Sequence, residues 1–185
     1  MKDIILFGAP GSGKGTQAEL LIEYFGDSLR HLSTGDIFRS LASKPNAIGN
    51  YVKERMEAGE LIDDQVTMSL FDAYFFTILD EGTHMLLDWY PRSIVQMQGF
   101  EKIVKKHNRS VVWIYFEVDE DETVKRILSR GRPWETEDVI RKRLQEYDTH
   151  TRPIVDEFSQ RWEVVKIDAN RSIEEIHADV MKVVQ

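Results

Sequence analysis

An α/β fold, with helices covering both faces of a central five-stranded parallel sheet, is predicted by three features of the sequence. Five short β-rich runs alternate with longer stretches of helical periodicity along the whole 185-residue chain. Two of the runs, Ile4-Ile5-Leu6-Phe7 and Val111-Val112-Trp113-Ile114-Tyr115-Phe116, are apolar without alternation, as strands buried on both faces must be. The first run ends in a glycine-rich turn that leads directly into a helical pattern.

The runs place strands at residues 3–7, 29–32, 84–88, 111–118 and 162–167. Helices are expected at 14–25, 35–42, 48–58, 63–79, 94–106, 120–128, 135–149, 152–159 and 172–184. Ser33 or Thr34 supplies a capping hydroxyl ahead of Gly35-Asp36, and Gly59 after Met56-Glu57-Ala58 stops a helix. Asp63-Asp64 then opens the next one with acidic residues suited to a helix start. Residues 33–62 therefore read as a helical insertion in one unit spanning 1–185, with no internal repeat or linker to divide it. In open parallel sheets ligands lie beyond the carboxyl ends of the strands, so the segments following Phe7, Leu32 and Leu87 should converge on one cleft.

Composition narrows the function classes. Thirty-two acidic against 24 basic residues give a net charge of −8, which argues against a surface that coats nucleic-acid phosphates. There is no cysteine, so disulfides and thiolate zinc sites are excluded. His31, His84, His107, His150 and His177 have no ligand spacing, and no metal cage is expected from them. No apolar run approaches membrane length, and the amino terminus enters a strand within three residues. A soluble cytoplasmic protein is expected, acting on small molecules and not on membranes or nucleic acid.

The chemistry is concentrated in Gly8-Ala9-Pro10-Gly11-Ser12-Gly13-Lys14-Gly15-Thr16, which matches the phosphate-loop pattern GxxxxGK between a strand and a helix. Glycines let backbone N–H groups turn inward around phosphate oxygens, and Lys14 reaches the outer phosphates as a point charge. The helix that follows aims its unpaired N–H groups and positive dipole end at the same place. A nucleoside triphosphate is the expected ligand, and the fold is expected to be the three-layer fold of P-loop nucleoside triphosphatases. Gly15 stands in the usual Ser/Thr slot, so the hydroxyl expected near magnesium shifts to Thr16.

Four further clusters add to the loop. His31-Leu32-Ser33-Thr34-Gly35-Asp36-Ile37-Phe38-Arg39 joins a strand end to a capped helix carrying an arginine. Gly59-Glu60-Leu61-Ile62-Asp63-Asp64 reads on its own as a turn between helices. Leu87-Asp88-Trp89-Tyr90-Pro91-Arg92 delivers Asp88 to the sheet edge, where a carboxylate suits hydrated magnesium, and presents Arg92 from a proline-fixed turn. Arg126, Arg130, Arg132, Arg141, Lys142 and Arg143 fall within eighteen residues of an otherwise acidic chain. Arg141 and Lys142 read equally well as a solvated helix face, whereas the arginines around Gly131 and Pro133 fit a phosphate-gripping loop.

In order and interval, GAPGSGKGTQA, HLSTGDIFR, GELIDDQV, LDWYPRSIVQ and RGR…RKRLQEY resemble the adenylate kinases of the nucleoside monophosphate kinase family from end to end. The resemblance implies reversible phosphoryl transfer, with ATP and AMP giving two ADP, assisted by magnesium and not zinc. It implies that Gly11, Ser12, Gly13, Lys14, Gly15 and Thr16 hold the ATP phosphates, while Arg126 stacks on the ATP base and the stretch from Ala169 to Arg171 lies near it. Arg39 and Arg92 would clamp the AMP phosphate. Thr34 and Gln96 would bond its base, and Glu60, Leu61, Ile62 and the Trp89-Tyr90-Pro91 turn would line its pocket. Lys14, Arg92, Arg130, Arg132 and Arg143 would carry the catalysis, with Thr16 and Asp88 holding magnesium through water. A monomer is expected, with residues 33–62 as the AMP-binding insertion and residues 130–137 as a vestigial lid.

Two departures from that family pattern stand out. One residue separates Arg130 from Arg132, and Trp134-Glu135 takes the place of the usual aspartate pair, so the lid is nearly absent. Trp89 stands where the family usually has glycine, and it is expected either to pack on AMP and its insertion or to fold away onto core or surface. A UMP/CMP-type kinase, a catalytically silent nucleotide-binding regulator and a simple ATPase remain as alternative readings.

Overall fold

The order of strands across the sheet puts the chain's first strand at its centre. In the computed structural model, which describes residues 2–78, 82–132 and 134–185, β1 (Asp3–Gly8) is flanked by β3 (His84–Asp88) and β4 (Val111–Glu117). Beyond them lie β2 (Leu29–Ser33) on one edge and β5 (Val164–Asp168) on the other, and every pairing is parallel. Chain order reverses direction across the sheet at β1, so the crevice opens above Gly8.

Alternate residues of each central strand feed two separate cores. Ile5, Phe7, Leu87, Trp113 and Tyr115 pack on one face with Phe71 of α4 (Asp64–Ile78), Phe100 of α5 (Ile94–Lys106) and Phe158 of α8 (Arg152–Ser159). Ile4, Leu6, Leu86, Ile114 and Phe116 pack on the other with Leu21 of α1 (Lys14–Phe25) and Val180 of α9 (Ile173–Val184). Each such side chain contributes roughly 1.5–3 kcal/mol on burial, which explains why these runs tolerate no polar alternation.

A smaller cluster of Phe38, Val52 and Ile62 unites α2 (Thr34–Ala42) with α3 (Ala47–Glu57) beside the sheet. Ser33 is the cap of α2, its hydroxyl accepting from the Asp36 N–H at 3.2 Å. Gly59, at φ 71°, provides the left-handed stop expected after α3.

Two elements differ from expectation by more than one residue at an end. β5 begins at Val164, not at 162, because the Trp162 N–H bonds the Phe158 carbonyl at 2.7 Å and finishes the turn after α8. The helix expected at 135–149 is shorter at both ends: α7 spans Glu137–Glu146, with Thr136 as its cap. Glu135 is drawn inward, and Tyr147–Thr151 widens into a π-helical turn. That turn fastens the site, since the Thr151 hydroxyl donates to the Arg92 carbonyl at 3.0 Å. Leu79, the expected end of the fourth helix, and Pro133 in the expected lid lie outside the described residues. Among the described residues no helix is long and apolar enough to cross a membrane.

Candidate active site

β1 runs out at Gly8 and α1 starts at Lys14, so the glycine-rich loop at residues 9–13 is all that joins this central strand to its helix. Gly13 caps α1 at φ 92°, a left-handed conformation that costs a glycine little, and no side chain occupies the helix terminus. The start of α1 thus has no side-chain cap, the arrangement in which a helix can receive an anion. Lys14 folds back over the loop, donating to the carbonyls of Gly8 (2.7 Å) and Ala9 (2.8 Å) and to Ser12 Oγ (3.2 Å). Burial pushes its ammonium down to about 8, with Asp88 opposing and Arg92, Arg130 and Arg143 adding to the fall.

Asp88 leaves β3 beside this lysine. Burial pushes its carboxyl up to about 6, and Lys14 pulls it back. Its Oδ1 is buried without a hydrogen-bond partner among the described residues, and it lines the same cavity as Thr16. One buried carboxylate and a hydroxyl fit a magnesium ion that keeps most of its own waters. Among the described residues no cluster of His, Asp and Glu forms a complete metal cage.

The turn after Asp88 carries the least expected geometry. Trp89 has φ 72°, in the region that favours glycine, and holding a large side chain there costs roughly 1–2 kcal/mol. The Thr34 hydroxyl donates to its carbonyl at 3.0 Å. Its ring lies 4.4 Å from the Arg92 guanidinium carbon, 5.0 Å from Lys14 Nζ and 5.6 Å from the Arg143 guanidinium carbon. It therefore neither folds away onto the core nor lies on the surface. The next residue, Tyr90, stacks on Phe71 with ring centroids 4.3 Å apart. Gln96 sits beneath the turn: its Oε1 accepts from the Arg92 N–H and its Nε2 donates to Asp64 Oδ1, both at 2.7 Å.

Arginines converge from α2, the Arg92 turn, the segment after α6 (Glu120–Ser129) and α7. Glu135 is their buried counter-charge, its Oε1 accepting from Arg143 at 2.8 Å and from Arg132 at 3.4 Å. Arg39 pairs with Asp36 along α2. Among the described residues Arg92 and Arg130 have no carboxylate partner within ion-pair distance, and burial works against the charge of each. Such a group of cations is complete only with an anion among them.

Two cavities meet at this group. The larger is lined by Gly11, Gly13, Lys14, Gly15, Thr16, Asp88 and Arg130. The smaller is lined by Glu60, Leu61, Ile62, Arg92 and Arg143. Arg39, Trp89 and Arg132 belong to both. Other expected site residues stand behind these walls. Ser12 and Thr34 are buried supports of Lys14 and Trp89, Tyr90 and Pro91 are buried in the turn, and both ends of the Gln96 amide are engaged. Arg126 is bonded to Glu122 at 2.7 Å, and Arg171 to Asp179 at 2.6 Å, so neither lines a cavity. The sequence reading missed Phe38 and Met56 as apolar walls, and His31, Asp36 and Glu135 as polar ones. The spacing of Asp36 and Phe38 around Arg39 on a capped helix was the available signal for two of them.

The comparisons agree with this geometry. A family model described as adenylate kinase matches residues 6–163. The chain belongs to the adenylate kinase family. It is 40% identical over 176 residues to an adenylate kinase of Rhodococcus erythropolis, covering 95% of this chain and 94% of that protein. It is 38% identical to an adenylate kinase of a Synechococcus species, covering 95% of each. An adenylate kinase of Bacteroides thetaiotaomicron is 32% identical over 100% of this chain and 98% of its own length. Membership makes the chain an enzyme of phosphoryl transfer between ATP and AMP, and its parallel five-stranded sheet with helices on both faces is the fold of that family.

Proposed function

We propose that the larger cavity holds ATP and the smaller one AMP, and that the cations between them carry the γ-phosphoryl from donor to acceptor. The observation behind this reading is that Arg39 and Arg132 line both cavities, so one set of guanidinium groups borders both bound phosphates. Gly11, Ser12, Gly13, Gly15 and Thr16 take the ATP phosphates, and Lys14 exchanges its loop carbonyls for the outer ones. Arg39 and Arg92 take the AMP phosphate. Leu61 and Ile62 cover the base, with Thr34 selecting adenine once the cleft closes and Gln96 acting on the same pocket through the Arg92 turn that it holds. Arg126 turns from its carboxylate partner to the ATP base, which the backbone from Ala169 to Arg171 also touches.

An AMP phosphate oxygen bonds to the γ-phosphorus as the bond to the β–γ bridging oxygen breaks, leaving ADP on both sides. Charge spreads over the oxygens in flight, where Arg130, Arg132 and Arg143 stabilise it, and no covalent intermediate or strong base is needed. Thr16 and Asp88 would hold magnesium through water, which would neutralise charge on the ATP phosphates. Residues 33–62 act as the moving AMP insertion and residues 130–137 as a minimal lid. With so little lid, some ATP is lost to water. We assign the enzyme to the cytoplasm as a monomer.

The deciding experiment incubates the protein with magnesium, ATP and each nucleoside monophosphate in turn and separates the products. AMP is expected to be the preferred acceptor; preference for UMP or CMP would replace the base assignment. Lys14→Ala and Arg92→Ala should each lower transfer by about 100-fold or more when assayed at a temperature where melting curves show the variant folded. Normal turnover in either variant would overturn its role.

A further inference from the structure

We propose that Trp89 is a gate between the ATP and AMP sites: its ring occupies the line of transfer while it faces the cations, and the acceptor's phosphate displaces it. The inference rests on the assignment of Lys14, Arg92 and Arg143 to phosphates. The ring borders both cavities, which makes it the partition between them. Three cations that the reaction needs on phosphate oxygens approach it within 4.4–5.6 Å. The negative face of the indole stands in for an anion there. It also covers the Arg92 guanidinium, which has no carboxylate partner among the described residues.

The backbone supports this reading. At φ 72° glycine would make the turn without strain, so the indole is held in an unfavourable conformation and its position has to be explained by the side chain. Bidentate pairing of a guanidinium with a dianionic phosphate is stronger than its contact with a ring face, so AMP wins Arg92 and Arg143 and the ring leaves. ATP alone draws Lys14 from the ring but does not compete for Arg92, the nearest of the three cations. The ring then stays between its γ-phosphate and water entering from the AMP side, a protection that a long lid provides elsewhere. In the unwanted reaction a water oxygen bonds to the γ-phosphorus as the bridging bond breaks, giving ADP and inorganic phosphate.

Two measurements test the gate. Tryptophan emission of the wild type and of Trp89→Phe is titrated with AMP and, separately, with ATP. The difference between the proteins should change on AMP with the midpoint found for AMP binding by calorimetry, and should change by a smaller amount with ATP alone, which removes only Lys14 from the ring. Phosphate release from ATP without AMP should rise about tenfold in Trp89→Gly, whose turn is relaxed and whose melting temperature confirms folding. The gate is overturned if AMP binds yet the Trp89 emission does not respond, if ATP alone produces the full response, or if hydrolysis in folded Trp89→Gly stays at the wild-type rate. Absence of AMP binding to the wild type overturns the site assignment and the gate together.

Discussion

Glu135 and Arg143 form a buried ion pair at 2.8 Å, with the carboxylate side chain 1% exposed and the guanidinium 20%. Its second oxygen, Oε2, is buried without a hydrogen-bond partner among the described residues. The carboxylate is thus an internal counter-ion that holds Arg132 and Arg143 where the two cavities meet.

Removing that counter-ion should expose the cost of crowding cations. Glu135→Ala is expected to lose about 1–3 kcal/mol of stability in anion-free buffer, less than for a fully buried pair because Arg132 is partly solvated. Inorganic phosphate should restore its melting temperature by more than it raises that of the wild type. Equal phosphate responses in calorimetric melts would show that Glu135 does not neutralise the arginines.

The buried Asp88 and Lys14 give a pH dependence with opposite signs on the two sides of neutrality. Asp88 rises from 3.8 to about 6 on folding, so between these values the native state binds a proton that the unfolded chain lacks. Stability from this group therefore increases as pH falls through 6 and is lost as pH rises through it. Lys14 falls from 10.5 to about 8, so between those values the unfolded chain holds the extra proton and stability increases with pH. Asp88→Asn should abolish the acid-side slope, making the variant more stable than the wild type at pH 7 by on the order of 2–3 kcal/mol relative to their difference at pH 4. The wild-type kcat/KM should decline below about pH 6 as Asp88 protonates. Denaturant titrations across pH 4–10 check the slopes, and parallel curves for the two proteins would remove Asp88 as their source.

How much of this was visible in the chain follows from the range of the interactions. The loop from Gly8 to Thr16 is local: strand, glycines, lysine and helix start adjoin in sequence, and the structure keeps that order. Arg92, Arg132 and Arg143 could be picked out because arginines are conspicuous in an acidic chain. Glu135 stands out in the sequence only as a departure from the aspartate pair, because its pairing comes from being pulled off the start of α7 to face two arginines. The family resemblance implies a base-binding amide at Gln96, and its engagement at both ends within the protein is a tertiary fact that the sequence does not show. Trp89 was recognised as a departure, but φ 72° and the three cations around the ring are tertiary facts with no local signature.

Gln96 is expected to act on AMP through the Arg92 turn. Gln96→Ala deprives the Arg92 N–H and Asp64 Oδ1 of their 2.7 Å partners, which should cost about 1–3 kcal/mol. Ser93 still holds Asp64 Oδ2 at 2.8 Å, so the turn should loosen without unfolding. The KM for AMP should rise about tenfold while the KM for ATP changes little. Equal increases in both constants would mean that the turn does not act on the AMP side selectively.

A final prediction separates the frame from the chemistry. At the end of the sheet away from the crevice, Asp3 is 1% exposed. It accepts from the Met85 N–H at 2.8 Å and from Arg109 Nη2 at 2.6 Å. Arg109 Nη2 also reaches the Thr83 carbonyl at 2.9 Å, so this one pair ties the starts of β1 and β3 to the segment that leads into β4. Arg109→Met leaves the Asp3 carboxylate buried without its charge partner and should lower stability by about 2–4 kcal/mol. Adding Asp3→Asn removes the unpaired charge while keeping an acceptor for the Met85 N–H, so the double variant should regain part of the loss. At a temperature where all variants are folded, kcat and both KM values should match the wild type, because none of these groups touches the cleft. A kcat that fell in step with the melting temperature would mean that the brace sets the geometry of the β1 loop, and the division between frame and site would have to be redrawn.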